Sequence, residues 1–194
     1  TDVLKPIYQP FNVNLLCLKS IDPYIPEREQ ILLSRFDECF LTGHLCDSVV
    51  NSFINLVCQP MSNVITADTG ITEFVQLNQK VPDVWHCYNW SDIDTLFIPC
   101  NPSKKQWFLL VLLVKNSELQ ILDPTCVYES MPIIYKKYES SIQCWYTVLH
   151  NFLGISHCNV TFPVHTKNDD PINSGVLICW YVFQYINKRN LADN

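Results

Sequence analysis

The side chains with the greatest chemical reach in this chain are ten cysteines and five histidines. In a small secreted protein, cysteines in such number would form a disulfide framework. Here they are scattered through apolar runs such as Leu16-Cys17-Leu18 and Ile178-Cys179-Trp180, where a free thiol behaves as a small hydrophobe. Zinc needs paired ligands at short spacing. No C-x-x-C pair exists, and neither His44 with Cys46 nor His86 with Cys87 has a matching second pair. No metal and no cofactor is expected. His86, His150 and His157 stand in no motif. The adjacent acids Asp169 and Asp170 read as solvated loop residues, because raising a carboxylate pKa takes burial or a close like charge.

The elements that must position any site are set by composition. The 194 residues are 48% hydrophobic and 16% charged, which supplies one domain with a sizeable core and excludes a disordered tail. The net charge is -6, and Lys104-Lys105 and Lys136-Lys137 are only pairs. A nucleic-acid surface needs a basic stripe to displace counterions, so no direct DNA or RNA binding is expected. The longest apolar run, Trp107 to Val114, is far too short to span a bilayer, and nothing reads as a signal peptide. The expectation is an intracellular protein of a reducing compartment with no membrane partner. There the glycosylation patterns Asn89-Trp90-Ser91 and Asn159-Val160-Thr161 are chance matches.

Along the chain, residues 1–26 are rich in proline and read as an extended N-terminal arm, with the folded domain over 27–194. Glu27 to Phe36 has weak helical character. Asp47 is placed as an N-cap, followed by a core stripe of Val49, Val50, Phe53, Leu56 and Val57 at helical spacing. Residues 60–83 are mixed. Thr95 to Pro99 is a short strand candidate. Trp107 to Val114 is a continuous apolar run suited to a strand covered on both faces, and Glu118 to Leu122 completes a hairpin. Ile142, Trp145, Tyr146, Leu149 and Phe152 fall on one helical face, with Gly154 at the C-cap. Val160 to Val164 suits another strand. Ser174 to Asn187 is apolar nearly all round, as a central buried helix would be. The order is α+β.

Three stretches in this order resemble the ULP/SENP family, the cysteine proteases that cleave SUMO and related ubiquitin-like proteins. Residues 44–57, HLCDSVVNSFINLV, look like the family's W-L-x-D-x-x-I-N-x-Y-x-x-L-L helix. Residues 96–111, LFIPCNPSKKQWFLLV, followed by ILD at 121–123, look like its I-P-x-n…H-W-x-L-x-V strand and the strand after it. Residues 168–179, NDDPINSGVLIC, look like its Q-x-x-x-x-[DN]-C-G-V-x-x-C segment. Each motif alone is weak, and the ordered set over residues 44–188 is fairly specific. The resemblance implies a papain-like fold of the ULP/SENP type, with a central mixed sheet flanked by helices and a buried helix after the nucleophile position. It also adds the nucleus to the cytoplasm as an expected location.

The family's chemistry explains those residue types. A cysteine opening a buried helix has its thiolate stabilised by the helix N-terminus. A histidine on the neighbouring strand handles the proton, and an aspartate orients it. A glutamine donates to the oxyanion. Carried over position by position, the resemblance puts Gln106 at the histidine, Asp123 at the aspartate, Asn168 at the glutamine and Ser174 at the cysteine. Only the aspartate is kept. The tryptophan of W-L-x-D, which helps wall the family's channel for the substrate's Gly-Gly tail, is His44 here, whereas Asp47 is retained. Trp107 either lines a vestigial tail channel or anchors its strand in the core, and a large aromatic in an apolar strand mostly contributes packing.

An amide at Gln106 cannot accept and return a proton near neutral pH, and general acid–base catalysis is typically worth about 10² to 10⁴-fold. Asn168 is one methylene short, so its amide would fall about 1 Å from where an oxyanion donor is needed. Ser174 alone is what a substitution made to trap a complex would leave, but three departures together point to natural loss. His165, near Asn168 in sequence, is the only nearby histidine for a substitute base. It reads as a strand or loop residue without that role, since a base must reach the nucleophile.

The expectation is therefore a catalytically inactive SUMO-protease-like domain that acts as a protein–protein interaction scaffold within a larger complex. Low charge and 12% aromatic content suit protein surfaces. One alternative is a reader that binds SUMO or another ubiquitin-like protein without cleaving it. The other is an active protease carrying an engineered serine at position 174.

Overall fold

The computed structural model describes residues 44–102, 106–126, 131–168, 170–189 and 191. The expected arm over 1–26 and the weak helix over Glu27 to Phe36 lie outside the described residues. The α-helices and strands of these residues are, in order, α1 (Asp47–Cys58), β1 (Val64–Thr66), α2 (Thr69–Asn78), β2 (Thr95–Cys100), β3 (Phe108–Leu113), β4 (Glu118–Leu122), α3 (Met131–Leu153), β5 (Asn159–Thr161) and α4 (Ser174–Ile186).

The strands form one mixed sheet in the order β1-β2-β3-β4-β5. The three central strands pair antiparallel, and β1 and β5 pair parallel to their neighbours at the two edges. The fold is thus α+β with a central mixed sheet, and the Trp107 to Val114 run supplies its middle strand. Val114 itself leaves the strand for a 3-10 turn that ends on Ser117 in the left-handed region, at φ 49°.

Strand alternation explains why that run is apolar throughout. Successive side chains point to opposite faces, and both faces are covered. Leu96, Ile98, Phe108, Leu110, Leu112, Leu119 and Ile121 pack on α2 and α3 through Val75, Tyr138, Ile142, Trp145 and Leu149. Phe97, Trp107, Leu109, Val111 and Leu122 pack on α1 and α4 through Val50, Ile54, Ile178, Tyr181 and Val182. Each such aliphatic or aromatic side chain contributes about 1.5–3 kcal/mol by leaving water.

Two expectations for α1 are corrected. Asp47 is its first helical residue, not its cap; the N-cap is Cys46, which makes no side-chain cap bond. The buried stripe is Val50, Ile54 and Cys58 together with Val49, and Leu56 is 60% exposed. Steps of four residues keep positions 50, 54 and 58 on one face, and Leu56 falls on the other side of the helix. α3 is longer than its apolar pattern and ends as expected at Gly154, where φ is 68° and the N–H donates to the His150 carbonyl at 3.0 Å. β5 is shorter than the Val160 to Val164 expectation.

Among the described residues no cysteine forms a disulfide, and Cys58, Cys100, Cys126 and Cys179 are buried, whereas Cys87 is exposed. Burial pushes the thiols of Cys58 and Cys179 up to about 12, the state of packing groups and not of nucleophiles. No helix among the described residues is long and apolar enough to cross a membrane.

Candidate functional site

The start of β3, the end of β4 and the start of α4 bring Gln106, Trp107, Asp123, Asn168 and Ser174 into one neighbourhood. Ser174 is the first residue of α4 and is 0% exposed. Its hydroxyl donates to the Pro171 carbonyl at 2.6 Å and accepts from the Trp107 backbone N–H at 3.0 Å. The side chain thus ties the start of α4 to the residue that precedes β3. Gly175 follows at a close approach: a Cβ there would lie 3.0 Å from both Leu45 Cβ and Trp107 Cδ1, so one of them would have to give way. Trp107 is 2% exposed, and its indole N–H donates to the Leu45 carbonyl at 3.1 Å.

Asp123, just past β4, is 2% exposed and is the polar hub of the region. Oδ1 accepts from the Thr125 N–H at 2.8 Å and from its hydroxyl at 2.8 Å. Oδ2 accepts from Cys126 Sγ at 2.7 Å, from Lys137 Nζ at 3.0 Å and from the Tyr138 hydroxyl. Burial opposes its charge, but the bonds from Cys126, Tyr138 and Thr125 outweigh that, and the carboxyl is held down at about 2. Burial works against the Lys137 ammonium too, yet its bond to Asp123 prevails and lifts its pKa. Tyr138 is pushed well above the ordinary phenol by burial and then by the neighbouring carboxylate.

Gln106 sits at the rim of this hub. Its amide nitrogen donates to the Thr125 hydroxyl and lies 3.5 Å from Asp123 Oδ1, at the limit of a hydrogen bond. Asn168 is bound into the loop before α4: its N–H donates to the Pro124 carbonyl and its side-chain oxygen accepts from the Asp170 N–H, both at 2.8 Å. Asp170, read as a solvated loop residue, instead caps the turn over Pro171–Asn173 by accepting from the Ile172 N–H at 3.0 Å. Asp169 lies outside the described residues.

His165 does not turn toward Ser174. Its ring nitrogens face the Asp123 carbonyl at 3.1 Å and the Pro163 carbonyl at 2.7 Å, and its edge meets Tyr181. Among the described residues no histidine bonds to the Ser174 hydroxyl. His44 is half-buried beside Leu45, and Asp47 Oδ1 accepts from Asn101 Nδ2 at 3.2 Å. No group of three or more His, Cys, Asp or Glu side chains among the described residues could hold a metal ion.

Thr125, Cys126, Lys137, Tyr138 and Pro171 are part of this arrangement but are not evident from the sequence. Lys137 and Tyr138 arrive from α3, so tertiary placement alone brings them to Asp123. Thr125 carried a local signal, since an aspartate two residues ahead commonly accepts from a backbone N–H in a turn.

No family model and no curated protein matches the chain. Solved structures do. The C-terminal Ulp1 protease domain, solved in complex with Smt3, the yeast ortholog of SUMO, superposes with a TM-score of 0.62 at 10% identity, over 76% of this chain and 68% of that one. The catalytic domain of the Chaetomium thermophilum Ulp1-like SUMO protease gives 0.57 at 14% identity, over 77% and 64%. The Xanthomonas campestris effector XopD bound to ubiquitin gives 0.53 at 14% identity, over 78% and 84%. The chain has the fold of the ULP/SENP-type cysteine proteases.

Proposed function

We propose that this chain is a catalytically inactive ULP/SENP-type domain that works by binding another protein, as a scaffold within a larger assembly. The observation that carries this reading is the state of Ser174. Its hydroxyl is fully buried and committed to the Pro171 carbonyl and the Trp107 N–H. A nucleophile needs a base within hydrogen-bond reach and room for an incoming carbonyl carbon. Gln106 supplies no base. Asp123, which would orient one, is occupied by Lys137, Tyr138, Cys126 and Thr125.

A second reading, a non-cleaving reader of SUMO or ubiquitin, draws support from the similar proteases solved with Smt3 and with ubiquitin. Titration of isotope-labelled SUMO and ubiquitin with the full chain separates the two. The scaffold reading expects no saturable shift changes at high micromolar concentration and no processing of a SUMO precursor. Saturable binding without cleavage would establish the reader, and cleavage would overturn both.

A further inference from the structure

His165 is a buried ring set between two carbonyl groups, and it is 9% exposed. Nδ1 faces the Pro163 carbonyl oxygen at 2.7 Å, and Nε2 faces the Asp123 carbonyl oxygen at 3.1 Å. A carbonyl oxygen only accepts. A neutral imidazole carries one N–H and one bare lone pair, so in either tautomer one nitrogen would point its lone pair at an oxygen. Only the imidazolium, with a proton on each nitrogen, bonds both oxygens, and bonds from a charged donor are the stronger kind.

The ring belongs to a seam. Residues 163–168 lie against the turn that follows β4: His165 meets the Asp123 carbonyl, the Asn168 N–H donates to the Pro124 carbonyl at 2.8 Å, and Lys167 Nζ donates to the Cys126 carbonyl at 2.7 Å. On the other side of the segment, the Thr166 N–H donates to the Leu191 carbonyl at 2.9 Å and the Tyr181 hydroxyl donates to the Thr166 carbonyl. The chain then continues to the turn over Pro171–Asn173 and to Ser174. Among these donors, imidazole is the side chain whose ordinary titration falls near neutral pH. Charged and titratable groups border the ring from each neighbouring element. Tyr181 of α4 meets it edge-on, with ring centroids 5.2 Å apart. Asp123 and Cys126 stand at the end of β4, and Lys137 and Tyr138 reach Asp123 from α3. Asp123, held at about 2, stays ionised; Lys137, lifted by Asp123, stays cationic; Tyr138 and Tyr181, pushed far above an ordinary phenol by burial, stay neutral.

We propose that His165 is a pH-sensitive clasp: doubly protonated, it ties residues 163–168 to the end of β4, and loss of one ring proton to solvent releases that tie beside Asn168 and Ser174. The neutral ring keeps one bond at most and must turn from the other oxygen, which is left buried without its donor. The clasp does not depend on whether the domain is inactive.

The test is an NMR titration of the full chain, with nitrogen-15 in the histidine rings, from about pH 5 to about pH 9, a span that brackets ordinary imidazole titration. Ring nitrogen shifts separate the imidazolium from each neutral tautomer, and the His165 signal is assigned by its contact with Tyr181. Amide exchange of Asn168, taken relative to the unfolded-chain rate at each pH, reads the seam. The expected result is two protonated nitrogens at the acid end and one step to a neutral ring within the range. At the same midpoint Asn168 protection should fall by at least about tenfold, the scale of one hydrogen bond, while that of Ile54 in α1 stays level. His165→Gln, with no ring to titrate, should make Asn168 protection independent of pH over this span. If that variant folds poorly, the ring and amide readings of the parent decide by themselves. A single neutral tautomer at the acid end, a ring that stays doubly protonated throughout, or a ring step that leaves Asn168 protection unchanged overturns the proposal.

Discussion

Asp123→Ala is expected to lower the unfolding free energy by about 3–5 kcal/mol, the cost of breaking a buried charge cluster by removing one member. The carboxylate is the shared acceptor for Thr125, Cys126, Lys137 and Tyr138. Lys137 keeps partial access to water, with a side chain 35% exposed, and can recover hydration. The Tyr138 hydroxyl and the Thr125 N–H cannot do so as readily, and an orphaned buried donor bears its full desolvation cost. Since domains are stable by only about 5–15 kcal/mol, the urea midpoint should fall to a large fraction below that of the parent. A change under about 1 kcal/mol would mean the carboxylate is not the structural hub described.

The same cluster makes the protein acid-sensitive. Asp123 is held at about 2, below its ordinary 3.8. A carboxyl depressed by folding adds stability that is complete above its unfolded pKa and is lost as pH falls through the folded one. About 2 kcal/mol should fade between about pH 4 and about pH 2, and that part of the pH profile should be missing in Asp123→Ala.

The second large effect is at Trp107. Trp107→Ala should cost about 3–5 kcal/mol through lost burial and the cavity left against Gly175 and Leu45. Trp107→Phe should cost less, about 1–2 kcal/mol, because it keeps most of the ring and leaves only the Leu45 carbonyl without its indole donor. Both variants keep the backbone N–H that donates to Ser174. Urea unfolding followed by circular dichroism measures each. A near-neutral alanine variant would instead assign the ring to an open channel.

The central sheet and the last helix are legible in the sequence because burial on both sides leaves a run with almost no polar interruption. The Phe108–Leu113 strand and the Ser174–Ile186 helix follow directly from that. β1 and α2 are not legible. A three-residue strand carries too little alternation to register, and α2 is signalled only by its cap, Asp68, whose side chain accepts from the Ile71 N–H at 2.8 Å. The first half of α3 is not legible either, although Tyr138 lies four residues before Ile142 on the same buried face. At the site, spacing within the resemblance picks out Gln106, Asp123, Asn168 and Ser174. It does not reveal where their side chains spend their hydrogen bonds. The commitment of Asp123 to Lys137 and Tyr138 depends on how α3 crosses the sheet, which one-dimensional spacing does not encode.

The most direct test of an inactive site is the Ser174→Cys variant, incubated with SUMO and ubiquitin probes that carry a thiol-reactive electrophile at the C-terminus. Mass spectrometry of the intact protein reads the result. With no base at Gln106, and with nucleophile and base acting as a unit worth roughly 10⁶-fold in a well-studied protease, no adduct at position 174 should form above the background of Ser174→Ala. A stoichiometric adduct on the introduced cysteine would show that the catalytic machinery is otherwise intact, and would contradict the account.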